Sequence, residues 1–242
     1  MKASKLRSLW ITIAASFLTG YYCFLASFRQ LIGQIDRPWV DRVIQIWSSR
    51  LLKLARVNYV VFNPHQVEPQ LGQPTIIMCN HSSLYDIPVS FKAFPHHSIR
   101  WLAKKELSRV PFMGRGMAAA ECPFIDRKNR HQAIKDLNAV KQLLESGIIM
   151  WIAAEGTRSK DGRLAHFKKG PFITAIEAKA TVIIIGIRGA FNIIPAKTRH
   201  FNINERVEIH VGRPIDASLY TLENKDELIK KAHQEMNELL ES

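Results

Sequence analysis

Thr75-Ile76-Ile77-Met78-Cys79-Asn80-His81-Ser82-Ser83-Leu84-Tyr85-Asp86-Ile87-Pro88 is the stretch on which the fold turns. Its first five residues are β-branched or apolar without alternation, the pattern of a strand covered on both faces, and the polar Asn80 ends the run. Val182-Ile183-Ile184-Ile185 reads the same way. Strands of this kind belong to an α/β domain, a single mostly parallel or mixed sheet flanked by helices. Ligands bind such sheets outside the carboxyl ends of the strands, so Asn80 and His81 stand where a site is expected.

Outward from this stretch, further strands are predicted over Tyr59 to Phe62, Ile148 to Ala153, Val182 to Ile187 and Val207 to Val211. A helix is predicted over His131 to Ser146, with Ile134, Leu137, Val140 and Leu144 on one face and Gly147 as its stop. Another is expected to begin near Pro171, and a last one over Asn224 to Leu240, with Asn224 and Glu227 spaced as in a capping box. No internal repeat or Gly/Ser/Pro-rich linker divides the chain.

The amino-terminal part is different. Leu9 to Phe28 is twenty residues without a charge, between Lys2, Lys5 and Arg7 and the following Arg29. At ~1.5 Å per residue it makes a helix of about 30 Å, the thickness of a bilayer's hydrocarbon core. A cleavable signal peptide is the rival reading, but the run exceeds the usual ~7–15-residue signal core and no small-x-small site follows. Pro38 to Arg56 sets Val40, Val43, Ile44, Trp47, Leu51 and Leu54 at helical spacing, with Arg42, Arg50, Lys53 and Arg56 largely elsewhere on the wheel. Its residues alone suit equally a helix packed on the domain core with solvated arginines, and its place directly after an apolar segment favours the membrane interface. Two parts follow, residues 1–56 as membrane-anchoring helices and residues 57–242 as the α/β domain.

The 242 residues carry 34 Lys and Arg against 21 Asp and Glu, a net charge of +13, and 47% are hydrophobic. That excludes a disordered chain or a disulfide-stapled peptide and leaves a basic, apolar-rich domain that attracts anions: nucleic acid, anionic lipid or phosphorylated small molecules. A nucleic-acid reader would need base-stacking aromatics interleaved with its basic residues, and no such signature is present. Cys23, Cys79 and Cys122 are odd in number and lack paired spacing, as expected of reduced, buried residues. His96-His97 have no further ligand at metal-binding spacing.

His81 and Asp86 are five residues apart, about 140° on a regular helix of ~3.6 residues per turn, so they meet only if a loop enters a helix near Asp86. In that geometry Asp86 accepts from the imidazole and His81 can take a proton; the alternative is a helix cap beside a loop histidine. No G-x-S-x-G elbow is present, which favours direct attack by a substrate hydroxyl over a covalent intermediate. A second strand end delivers Glu155-Gly156-Thr157-Arg158-Ser159, and Lys104 and Arg127 also lie near strand or loop ends. Three cations with a flexible glycine suit a phosphate, although a solvated basic face explains each one singly.

Taken in order, Asn80-His81-x4-Asp86, Lys104-Lys105-Glu106-Leu107 with Pro111 to Gly114, Phe124-Ile125-Asp126-Arg127, and Glu155-Gly156-Thr157-Arg158-Ser159 closely resemble the glycerolipid acyltransferase family, which includes the 1-acyl-sn-glycerol-3-phosphate acyltransferases. Phe167 to Gly170 also matches the family's F-K-x-G segment, and the resemblance spans residues 57 to 215. It implies transfer of an acyl chain from acyl-CoA or acyl carrier protein to the hydroxyl of a lysophospholipid such as 1-acyl-sn-glycerol 3-phosphate, without cofactor or metal. Glycerol 3-phosphate or another lysolipid as acceptor, or a non-catalytic lipid-binding relative, are the alternatives. The resemblance casts His81 as general base and Asp86 as its partner. It assigns Arg127, Glu155, Gly156, Thr157 and Arg158 to acceptor binding, and Lys104 to the phosphate. It also implies amino-terminal helices seated in the cytoplasmic leaflet of a membrane, with the catalytic domain facing the cytosol. Thr181, Ile184 and Ala154 stand where many members carry proline.

Overall fold

The structure is a computed structural model and describes residues 1–195, 198 and 200–241. Helices α1 (Lys5–Leu31) and α2 (Arg37–Leu54) precede β1 (Asn58–Phe62) and β2 (Thr75–Cys79). The chain continues through α3 (Asp86–Ser90), β3 (Ile99–Trp101), β4 (Ala103–Lys104), α4 (Met113–Ala119), β5 (Phe124–Ile125), α5 (Arg130–Glu145) and β6 (Ile149–Ala153). It ends with α6 (Lys169–Glu177), β7 (Thr181–Arg188), α7 (Ala190–Ile193), β8 (Arg206–Val211), β9 (Ile215–Asp216) and α8 (Lys225–Glu241).

The main sheet is mixed, in the order β1-β8-β7-β2-β6-β3, with β9 also pairing on β7. β2 is central and parallel to both β6 and β7, while β8 and β9 run antiparallel to β7. Strand alternation explains the unbroken apolar runs. Ile77, Cys79, Trp151, Ile183 and Ile185 face a layer that contains Val40, Ile44, Leu51 and Val89. Ile76, Met78, Met150, Val182 and Ile184 face α5, α6 and α8 through Val140, Phe172, Leu228 and Met236. Each residue of these three strands, β2, β6 and β7, therefore enters one core or the other in alternation. Cys79 and Cys122 are buried and Cys23 half-buried, all as free thiols.

β7 runs eight residues without interruption where a proline pair would break its ladder. The Thr181 N–H donates to the Pro74 carbonyl at 2.8 Å, a bond that proline cannot make, and Ile184 accepts from the Gly212 N–H at 2.9 Å. The extra length carries Ile187 and Arg188 past the end of β2, where Asn80 meets them.

The helix pair departs from expectation in one respect. The apolar side of α2, predicted to face the membrane interface, is instead covered by the sheet, with Val40, Ile44, Leu51 and Leu52 buried in its core. Trp47 stacks on Trp101 of β3 at 5.6 Å, and its indole N–H donates to Thr19 of α1. α1 is long and apolar enough to cross a membrane, and little of it is covered. Trp10, Ile13, Phe17, Tyr21, Phe24 and Phe28, spaced three and four apart, form an outward stripe whose members are each about half exposed or more. Its inner side is seated closely: at Gly116 of α4 any side chain would collide with the Cys23 backbone. Residues ahead of α1 are tied down as well, through Ala3 N–H to the Phe201 carbonyl and Ile203 N–H to the Met1 carbonyl, both at 2.9 Å.

Candidate active site

Asn80 sets the geometry of the first loop. Its side chain replaces a strand residue, with the amide NH2 donating to the Ile187 carbonyl at 2.9 Å and its oxygen accepting from the Ile187 N–H at 2.8 Å. The chain is thereby free to leave the sheet at His81 without orphaning the backbone groups of β7. It turns through Ser82 to Tyr85 and enters α3 at Asp86, with Pro88 in the first helical turn.

Asp86 is fully buried, and one oxygen gathers three donors: His81 Nδ1 at 2.9 Å, Ser82 N–H at 2.6 Å and Ser83 N–H at 2.7 Å. An ionised carboxylate only accepts, so the proton of the first bond belongs to Nδ1 and the lone pair of Nε2 is left available. The imidazole stands edge-on to Trp151 at 6.0 Å between centroids. Its side chain is 16% exposed against 0% for Asp86, so the imidazole is reachable and the carboxylate is not. The five-residue spacing is thus resolved as a loop closing onto a helix start, and Asp86 serves both as loop organiser and as partner of His81.

Glu155, at the end of β6, is buried and directed at backbone rather than at any arginine. One oxygen accepts from the His81 N–H at 2.7 Å and the other from the Ala165 N–H at 2.9 Å. Burial pushes its carboxyl above the usual range, partly offset by those two bonds. In the opposite sense the Ser159 N–H donates to the His81 carbonyl at 2.7 Å. These ties hold the loop carrying Gly156, Thr157 and Arg158 against His81. Gly156 is left-handed at φ 76°, and a side chain there would press on Lys168.

The cations form the rim. Arg127 donates to the Gly156 carbonyl, joining the turn after β5 to the loop after β6. That turn is organised by Asp126, whose carboxyl is held below its usual range by Lys105 at 3.0 Å and by the Lys128 and Asn129 N–H groups. Lys104 lies opposite Ile125 in the β4–β5 ladder, two residues before Arg127. Thr157, Arg158 and Lys104 are exposed, and among the described residues neither Arg158 nor Lys104 makes a hydrogen bond or an ion pair. The candidate residues therefore divide: His81, Asp86 and Glu155 are brought together directly, Arg127 and Arg158 lie on loops tied to them, and Lys104 follows one strand away. His97 contacts the Pro69 carbonyl and Glu68.

Sequence reasoning did not anticipate Asn80 as a strand surrogate or Ala165 as the second ligand of Glu155. It also missed a partly buried ion network, in which Arg100 of β3 meets Asp41 of α2 at 2.6 Å and Arg37 makes a bidentate pair with Glu121. An arginine set between Ile99 and Trp101-Leu102 was the available signal for Arg100, whose side chain is wholly buried.

An acyltransferase family model matches residues 59–188, more than half of the chain, and that range contains His81, Asp86, Arg127 and the whole Glu155 loop. The chain belongs to the acyltransferase family. It is 33% identical over 169 residues to an uncharacterized acyltransferase of Schizosaccharomyces pombe, covering 68% of this chain and 60% of that protein. It is 30% identical over 171 residues to a 1-acyl-sn-glycerol-3-phosphate acyltransferase of Saccharomyces cerevisiae, covering 69% and 56% respectively. The chain thus spans under two thirds of the length of these two relatives. This acyltransferase also shares its fold with the crystal structure of the 1-acyl-sn-glycerophosphate acyltransferase from Thermotoga maritima, at a TM-score of 0.76, 24% identity and coverage of 96% and 92%.

Proposed function

We propose that this chain is a membrane-associated enzyme that transfers an acyl group from a thioester, acyl-CoA or acyl carrier protein, to the free hydroxyl of 1-acyl-sn-glycerol 3-phosphate, forming phosphatidic acid. The observation that carries the reading is His81, held at Nδ1 by a buried carboxylate with Nε2 available, beside unpaired cations on a loop tied to its own backbone. Nε2 takes the acceptor's hydroxyl proton as the oxygen attacks the thioester carbonyl carbon. The C–O bond forms, the C–S bond breaks, and the departing sulfur takes the proton back from the imidazolium, whose charge Asp86 balances meanwhile. Arg158, Arg127 and Lys104 hold the acceptor's phosphate, and the step as written requires no metal or other cofactor. The outward apolar stripe of α1 supports seating in a membrane, and the catalytic domain then faces the cytosol.

The test is acyl transfer by the full chain in detergent, offering lysophosphatidate, glycerol 3-phosphate and other lysophospholipids against both donors. Phosphatidic acid from lysophosphatidate is the expected product, and a preference for another acceptor would reassign the head group. His81→Ala should lower turnover by about 10²- to 10⁴-fold with an unchanged melting temperature; near-normal transfer by that variant would overturn the mechanism.

A further inference from the structure

A second basic hollow lies away from the site just described, where α2 ends and β1 begins. It has a volume of about 380 Å³ and is bordered by Ser49, Lys53, Arg56, Asn58, Tyr59 and Asn204. None of these is acidic. Lys53 and Arg56 are exposed, and among the described residues their side chains make no hydrogen bond or ion pair. The nearby Glu205 carboxylate is occupied by the Met1 amino group at 3.0 Å, and on the other side the Lys92 ammonium donates to Ser49 at 2.8 Å. The hollow therefore presents uncompensated positive charge together with amide and hydroxyl donors, the chemistry of a phosphate site.

Backbone conformation gives an independent reason. Two bordering residues are left-handed without being glycine, Arg56 at φ 53° and Asn204 at φ 61°. Arg56 closes α2, with the Val57 N–H donating to the Leu52 carbonyl at 2.9 Å, a position that glycine occupies with least strain. An arginine kept there carries its guanidinium to the mouth of the hollow at the expense of the backbone.

Strand directions fix where the hollow stands. β1 is parallel to β8, β8 antiparallel to β7, and β7 parallel to β2, so Asn58 lies on the same sheet edge as His81. Three strand spacings separate them laterally, about 14 Å at ~4.8 Å each, and the register sets Asn58 about three residues, ~10 Å, further along the strands. That is a distance a pantetheine arm can bridge. We propose that the hollow binds the phosphate groups of a nucleotide-borne acyl thioester, coenzyme A, and that the arm runs along the sheet edge to bring the thioester to His81. The proposal rests on the acyl-transfer reading for its purpose and on the hollow's own chemistry for its ligand.

The test is titration calorimetry of coenzyme A with the full chain in detergent, which needs no turnover. Arg56→Gly removes the guanidinium and relieves the left-handed strain, so its melting temperature should hold or rise while affinity for coenzyme A falls about tenfold. Lys53→Gln should weaken binding in the same direction, and inorganic pyrophosphate should compete in the wild type. With acyl-CoA as donor, Arg56→Gly should raise the donor KM and leave the lysophosphatidate KM unchanged. Unchanged coenzyme A affinity in both variants overturns the site. Loss of binding to phosphatidylcholine vesicles containing phosphatidylglycerol, with coenzyme A affinity intact, assigns the hollow to a lipid head group and overturns the donor role. If the wild type transfers no acyl group yet loses coenzyme A affinity on Arg56→Gly, the site stands and the acyl-transfer reading fails.

Discussion

The inner and outer parts of the active site are built on opposite principles. Inside, the side chains are tied to one another and to backbone: one Asp86 oxygen accepts from His81 Nδ1 and from the Ser82 and Ser83 N–H groups, and Glu155 accepts from the His81 and Ala165 N–H groups. Outside, Arg158 and Lys104 reach into solvent with no partner among the described residues, and Arg127 holds only a carbonyl. The inner part must be rigid before a substrate arrives, because a general base works only from a fixed position. The outer part must be unpaired before one arrives, because a cation already bound to a carboxylate would have to exchange partners.

Substitutions inside should therefore damage rate or fold, and substitutions outside should damage substrate affinity alone. The largest effect is expected from Asp86→Asn, which keeps the loop's acceptor oxygen but removes the charge facing the imidazolium. Turnover should fall about 10²- to 10⁴-fold with little change in acceptor KM. A fall of only a few fold would show that the imidazole needs no counter-charge.

Next comes Glu155→Ala, which leaves two backbone N–H groups without acceptors at about 1–3 kcal/mol each, and about 2–4 °C of melting temperature per kcal/mol for a chain of this size. Glu155→Gln isolates the charge. The folded protein raises this carboxyl's pKa, so it binds the proton more tightly than the unfolded chain does. The wild type should accordingly lose stability relative to Glu155→Gln as pH rises from the ordinary carboxylate range through the raised value, and the difference should be flat above it. Thermal melts of both proteins between acid and neutral pH measure this, and a difference of opposite slope would remove Glu155 from the buried clasp.

Smaller effects are expected at the rim. Arg158→Ala should raise the acceptor KM about tenfold without moving the melting temperature. Arg127→Ala should do the same with a slight loss of stability from the freed Gly156 carbonyl, and Lys104→Ala should change KM least. If Arg158→Ala melted as early as Glu155→Ala, the division between the two parts would collapse.

The same division explains what could be read from the amino-acid sequence. β2 is found over its predicted residues, and the predicted Ile148 to Ala153 and Val207 to Val211 strands shift by one residue at their starts, because an uninterrupted apolar run, or the strict alternation of Val207 to Val211, admits few placements. His81 and Asp86 were legible from spacing and from the strand end before them. β3, β4, β5 and α4 were not. The three strands are two or three residues long, too short for any period, and Arg100 at the centre of β3 is acceptable there only because Asp41, 59 residues earlier, meets it. The resemblance placed Glu155 with its sequence neighbours in acceptor binding, and its hold on backbone was not legible from them. Its actual ligands are 74 residues before it and 10 after it, a distance that local pattern does not register. The face of α2 was misjudged for the same reason, since an amphipathic helix has the same periodicity whether lipid or a sheet covers it.

The seating of α1 bears on how the molecule is made. Its first partner is α2, through Trp47 and Thr19, but the others lie far downstream: α4 begins at Met113, and the Phe201 to Ile203 segment that ties the start of the chain comes nearly 200 residues after it. At ~5–20 residues per second, roughly 4–16 s pass between α1 and α4 and roughly 10–40 s between the start of the chain and the Phe201 to Ile203 segment, and until then α2 alone covers α1. On the proposed membrane seating, the outward stripe of α1, which α2 leaves open, can meet lipid before the rest of the domain is made.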